Sequence, residues 1–211
     1  MSTTRFPTPK QRRQRRRDEM IEAIVEASRT IMREHGVAAL NLNEIARMLG
    51  IRAPSLYEYF PNKMALYDHL FRLGTRLARQ SLAHVDDGPD VNVWEVAERA
   101  MTAYFQWSID NPDLFKLVFE RHVPGFVPSD DTMAEMIEFL KEGTERMQRV
   151  FRSLPASRRL SVEQMRDMFI AIQHGITALH LANSPDLPLG QGRYGGMVPL
   201  VIAMLQAAWS E

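Results

Sequence analysis

An all-α protein is predicted, on three observations. Apolar residues recur at helical spacing along nearly the whole chain beyond residue 17. No segment shows the strict apolar–polar alternation of a half-buried strand. Pro, Gly and Asn interrupt the periodic runs where helices would need to start or stop. The first helix is expected over Asp18–His35, with Ile21, Ile24, Val25, Ile31 and Met32 on one face. Asp18, Glu19 and Glu22 stand in its first turns, and Gly36 stops it. A short helix opens at Asn41, where Asn41 and Glu44 have capping-box spacing, and ends at Gly50. Another starts near Arg52 with Pro54 in its first turn. Asn62 caps a long helix running from Lys63 to about His84. Asp86–Asp90 reads as a turn, and helices follow at about 92–110, 112–121, 130–153, 161–183 and 194–209, about nine in all. Pro112, Pro124-Gly125, Pro128, Pro155 and the stretch 184–193 punctuate them.

Charge divides the chain. Its 211 residues carry 26 basic and 26 acidic side chains and no cysteine. A total of zero argues against a nucleic-acid partner only until its distribution is seen. Residues 1–17 hold Arg5, Lys10, Arg12, Arg13, Arg15, Arg16 and Arg17 without one acid, which leaves the remainder at −7. Residues 1–16 therefore read as a basic, disordered arm seeking phosphates, with Arg15, Arg16 and Arg17 leading into the first helix. Having no cysteine rules out disulfides and thiolate chemistry. The N-terminus shows no apolar signal segment and no run is apolar enough for a membrane span, so a cytoplasmic location is expected.

Residues 41–60, NLNEIARMLGIRAPSLYEYF, carry the most specific signal. Ile45, Ala46, Leu49, Ile51 and Leu56 face a small core, Ala46 lets the two helices cross closely, and Gly50 suits the tight turn between them. Such a helix-turn-helix, at about 40–59, offers the N-terminal half of its second helix to a DNA major groove. Arg52 can donate to guanine, Ser55 to a base edge or a phosphate, and Ala53 or Pro54 can lie against a thymine methyl. Tyr59 is expected on the same exposed face, while Tyr57 and Lys63 are placed for phosphates.

The run Glu44-Ile45-Ala46, Leu49-Gly50-Ile51, Pro54-Ser55-Leu56-Tyr57, Tyr59-Phe60 and Asn62-Lys63, then Leu66, resembles the signature of the TetR family of bacterial transcriptional regulators over about residues 17–77. The resemblance implies a recognition helix at 53–59 and backbone contacts from Tyr57 and Lys63. Two positions depart from it. Arg52 stands where Ser or Thr is frequent and weakens that cap, whereas Asn62 replaces Ser and keeps its cap. More weakly, Trp107, Asn111-Pro112, Leu114-Phe115, Leu117-Val118-Phe119 and His174-Gly175 are similar to the family's WHG-type C-terminal domain. The tryptophan before that His-Gly pair is replaced around Ile172–Gln173.

Residues 78–211 are therefore expected to form a helical domain for ligand binding and dimerisation. Two stretches, 168–185 and 194–210, contain no charged residue, which is unusual for isolated surface helices. Ala171, Gly175, Ala178 and Ala182 form a small-residue stripe on the first; Met197, Val201, Met204, Leu205 and Ala208 mark the second. A two-fold homodimer through a four-helix bundle is expected, as the resemblance also implies, the alternative being a deeply buried monomer core. The middle helices are rich in large adaptable side chains, among thirteen methionines in the chain. Met101, Tyr104, Phe105, Trp107, Phe115, Phe119, Met136 and Phe139 are candidates to line a pocket for a small, mostly apolar molecule, with His122 and His174 to orient it. Phe126, Met133 and Met147 stand nearby in sequence, and plain core is the competing reading for each. No nucleophile triad, P-loop, dinucleotide fingerprint or metal spacing is visible, so neither an enzyme, a cofactor nor a metal is expected. The expected function is a ligand-released, DNA-binding repressor on a palindromic operator. The alternative is a DNA-binding regulator without a small-molecule effector, nucleoid-associated or partner-responsive.

Overall fold

The computed structural model describes residues 8–85, 92–120, 122–152 and 161–210. Arg5, the Asp86–Asp90 turn and Pro155 lie outside them. The described elements are helical: α1 (Pro9–His35), α2 (Leu42–Met48), α3 (Ala53–Leu56), α4 (Lys63–Ser81), α5 (Val93–Asp110), α6 (Pro112–Phe119), α7 (Asp130–Arg152), α8 (Val162–Asn183), α9 (Gly192–Gly195) and α10 (Val198–Ser210).

The largest departure from expectation is at the start. The segment 9–16 is not a disordered arm but the first two turns of α1, which begins nine residues before Asp18. A capping box supplies the reason. The Thr8 hydroxyl accepts from the Gln11 amide at 3.3 Å, the Gln11 side chain accepts from the Thr8 amide at 2.7 Å, and Pro9 fits the first helical position. Side-chain pairs Gln14–Asp18 and Arg15–Glu19, one turn apart, support the charged turns. At α2, Asn41 caps by accepting from Asn43 at 2.9 Å, so the capping box with Glu44 is not made. The last expected helix is broken at Gly196-Met197 into α9 and α10. His180 pins the connection before it, its Nε2–H donating to the Leu187 carbonyl at 2.9 Å.

One hydrophobic core runs from the N-terminal helices into the body. Ile24, Ile31, Ile45, Leu56, Leu66 and Leu70 share it with Tyr104, Leu114, Phe115 and Phe139. The division expected at residue 77 therefore falls inside α4, not at a gap in packing. Gly74 of α4 lies so close to α6 that a Cβ there would meet Val118 Cγ2 at 2.7 Å. A second cluster joins Trp94, Val96, Met101 and Phe105 of α5 to Met165 and Phe169 of α8 and to Val201, Leu205 and Trp209 of α10.

Candidate nucleic-acid interface and internal cavity

The helix-turn-helix is built from buried Ile45, Ala46 and Leu56. Gly50 makes the turn at φ +66°, a conformation costly for residues with a Cβ, and the Ile51 amide closes it on the Ala46 carbonyl at 3.0 Å. α3 itself is one turn long, and residues 57–59 continue it as a hydrogen-bonded turn rather than a helix to 59. Arg52, Pro54 and Tyr57 are exposed, while Ala53, Ser55, Tyr59 and Lys63 are half-buried. Arg52 occupies the N-cap position, where a guanidinium has no acceptor to offer the helix amides, and its side chain makes no cap bond. Asn62 does cap α4, accepting from the Ala65 amide at 2.9 Å.

Tyr59 differs from expectation. It packs against the core and carries Arg17 over its ring at 5.2 Å, and Arg17 also donates to the Glu58 carbonyl at 3.4 Å. Tyr59 thus seats an arginine of α1 beside α3 instead of presenting its own open face. Lys10, Arg12, Arg13, Arg15 and Arg16 are exposed on the preceding turns. They stand within two turns of Arg17, the α1 cation held against Tyr59.

Behind this face, the sequence reading missed the groups that tie α1 and α4 to the body. Asp113, its carboxylate fully buried, accepts from Arg29 Nε at 2.8 Å and from Arg33 Nε at 3.2 Å, and Arg29 also bonds Asn111 at 2.8 Å. On α4, Arg72 and Arg76 pair with Glu135 of α7, and Arg79 pairs with Glu142. Asp68 accepts from the Ser129 amide and from the hydroxyls of Ser129 and Thr132 at 2.7–2.9 Å. Burial raises that carboxyl, but these donors and Arg72 prevail and hold it below its ordinary range. Nothing local announces such partners, which lie some 60–80 residues apart.

His69, stacked edge-on against Phe60, is held below the usual histidine range by burial and then by Arg72 and Arg76. As pH falls below about 6.5, the unfolded chain gains a proton that folded His69 resists, so folding stability declines. A His69→Gln variant should lose less melting temperature between pH 7 and 5.5 than the parent. Equal losses would exclude His69 as a source of that dependence.

Residues 24–70 match the family model described as "Bacterial regulatory proteins, tetR family". HTH-type transcriptional regulator Rv1816 of Mycobacterium tuberculosis (strain H37Rv) is 34% identical over 127 residues, covering 56% of this chain and 53% of that one. The helix-turn-helix segment of this chain is of the TetR family. The chain's match spans about half the length of the curated relatives it resembles. The protein SCO4313 shares the fold of this chain at 21% identity and a TM-score of 0.72, over 96% of this chain and 100% of that one. So does the Bacillus subtilis transcriptional regulator FadR, solved with stearoyl-CoA, at 15% identity and 0.64, over 87% and 96%.

The body of the protein contains a cavity of about 440 Å³ lined by α5, α6, α7 and α8 and by Leu82. Of the residues expected to line it, Tyr104, Phe119, Phe139 and His174 do, as does Met147. Met101 and Phe105 instead fill the second core cluster, and Trp107, Phe115 and Met136 the first, and none of the five lines the cavity. His122 is exposed beside Glu120. Sequence reasoning missed Arg146, Arg166 and Gly143 on the lining. Tyr104, whose hydroxyl lies 3.3 Å from His174 Nδ1, is pushed well above the ordinary tyrosine range by burial and then by Glu120. The His174 ring stacks on Phe115 at 5.1 Å.

On α8, Ala171 and Ala182 are exposed and Gly175 and Ala178 half-buried, beside exposed Met168 and Leu179. On α10 the open face is Leu200, Ala203, Met204, Ala207 and Ala208, with Met197 half-buried. Val201 and Leu205, expected on the interface stripe, are instead buried in the cluster with α5. Among the described residues, no helix is long and apolar enough to cross a membrane, and no group of three His, Asp or Glu side chains converges to hold a metal.

Proposed function

We propose that this chain is a DNA-binding transcriptional regulator of the cytoplasm that acts as a two-fold dimer. In this reading it is a repressor released from a near-palindromic operator by a small, mostly apolar molecule. The observation that carries the DNA-binding part is the start of α3, with Arg52 and Pro54 exposed and Ser55 half-buried, and with Arg17 of α1 held beside it by the Tyr59 contact. Base edges would be read by Arg52 and Ser55, with Ala53 and Pro54 against apolar groups. Phosphates would be held by Tyr57, Lys63 and Arg15–Arg17.

Dimerisation would cover the uncharged outer faces of α8 and α10, which otherwise leave Leu200 and Met204 more than half exposed. The cavity favours a small-molecule effector over a partner-responsive or nucleoid-associated protein, for which a sealed helical core would suffice. α7 lines it through Phe139, Gly143 and Met147 and holds α4 through Glu135 and Glu142. α4 in turn begins at Lys63, beside α3. A ligand that binds better to one α7 position than another would tilt α4 and change the spacing of the two heads. Only such differential affinity can release DNA.

The test is fluorescence anisotropy on a selected operator and on random duplex. Lys63→Ala should weaken both about equally, while Arg52→Ala should cost about 1–3 kcal/mol on the operator and less on random DNA. Equal losses for Arg52→Ala would remove it as a base reader.

A further inference from the structure

Two carboxylates of unlike setting stand where the DNA-binding head meets the body. Asp113 of α6 is fully buried against Arg29 and Arg33 of α1. Asp68 of α4 is only half-buried. Around it, two consecutive residues of α4 reach the head and the body in turn. Tyr67 donates its hydroxyl to the Val37 carbonyl, just past α1, at 2.7 Å, and its ring meets Phe126 of the α6–α7 loop at 5.7 Å. Asp68 accepts from the Ser129 amide at 2.7 Å and from the Ser129 and Thr132 hydroxyls at 2.9 Å. Along α4 this joint lies only about 7.5 Å from Lys63. The Arg76–Glu135 and Arg79–Glu142 pairs lie further from Lys63 and open to solvent, where screening weakens them.

The bonds of Asp68 do for α7 what a residue of its own sequence ordinarily does. α7 begins at Asp130, and the first turn of any helix leaves amides without partners inside it. The Ser129 hydroxyl lies 3.4 Å from the Thr132 amide and donates its own hydrogen to Asp68. The fully buried Thr132 hydroxyl also accepts from Arg72 of α4 at 3.0 Å. The start of α7 is therefore fixed by a side chain 61 residues away in the chain. Asp130 and Asp131 already supply negative charge to that first turn. What Asp68 adds is a tether to one place on α4.

We propose that Asp68 is a positioning residue for operator recognition, which sets the angle between head and body and so the distance between the two heads of a dimer. This rests on the two-fold reading above and names the residue that makes its half-site spacing strict. Parting Asp113 from its arginines strands buried charge, so that attachment holds whatever the operator. The partners of Asp68 can exchange with water, so this is the joint that an ill-spaced operator has to open. One base pair added between half-sites moves them apart by about 3.4 Å and turns one against the other by about 35°.

Fluorescence anisotropy of the full-length protein tests this on the selected palindrome, on versions with one base pair inserted or removed between half-sites, and on a single half-site. The parent should lose roughly tenfold or more for either change, the scale of one hydrogen bond to a charged group. Asp68→Ala should lose less than about threefold for the same changes. Its affinity for a single half-site should match the parent's, because α3 and Lys63 are untouched. Asp68→Asn should restore strict spacing, since its oxygen still accepts from the Ser129 amide and its NH2 donates to the two hydroxyls. Ser129→Ala with Thr132→Val opens the joint from the other side and should reproduce the tolerance of Asp68→Ala. A spacing penalty as steep in both opened variants as in the parent would overturn the role of Asp68 and leave the two-fold reading standing. A parent that binds every spacing alike, or one half-site as tightly as two, would overturn the two-fold reading and this assignment with it.

Discussion

An Asp113→Ala variant is expected to lose about 3–5 kcal/mol of folding stability, much of what a domain of this size possesses. The substitution removes the one carboxylate that faces both Arg29 and Arg33. Arg29, whose side chain is only 12% exposed, is then left as a buried cation with Asn111 as its remaining partner. The penalty comes chiefly from that stranded charge rather than from the attraction lost. Urea denaturation would measure it. Arg29→Met in the same background should recover part of the loss, because it withdraws the unpaired charge and keeps much of the volume. A cost below 1 kcal/mol for Asp113→Ala would show that α1 is held to α6 by packing alone.

Neutralising the first turns of α1 should have the largest effect on binding. Replacing Lys10, Arg12, Arg13 and Arg16 by Gln leaves the Arg17–Tyr59 contact and the Arg15–Glu19 pair intact. If all four side chains meet phosphates, the slope of log affinity against log salt flattens by about 0.9 for each, or ~3.6 in total. Affinity at low salt would then fall more than about a hundredfold. Gln is a good helix former, so α1 should persist and circular dichroism should not change. An unchanged salt slope would make these cations a solvated helix end and nothing more.

The α3 region was legible because its determinants are local. Gly50 between two short apolar runs and Asn62 before Lys63 fix the turn and the next helix start within a few residues. The start of α1 was missed for an instructive reason. Seven cations without an acid suggest self-repulsion and disorder, yet Thr8-Pro9 and Gln11 form a local cap strong enough to begin a helix there. Aromatic and methionine content pointed correctly to the middle helices but could not say which face looks into space. Met101 and Phe105 point into core, whereas Tyr104 between them in sequence points into the cavity. Periodicity offers two or three faces of equal hydrophobicity, and only the positions of neighbouring helices choose among them. The same limit placed Val201 and Leu205 on the outer stripe of α10 when they belong to its inner one. Asp113, Glu135 and Glu142 were invisible for another reason, since each finds its arginine far away in the chain.

Two copies of this chain are expected to present α3 to DNA with two-fold symmetry. Selection of bound sequences from a random duplex library, using the full-length protein, tests it most directly. A near-palindrome should be enriched whose half-sites lie about one helical turn, ~34 Å, apart or slightly more, with the enriched bases altered in an Arg52→Ala selection. Recovery of unenriched sequence, or of a single asymmetric half-site bound by one copy, would contradict it.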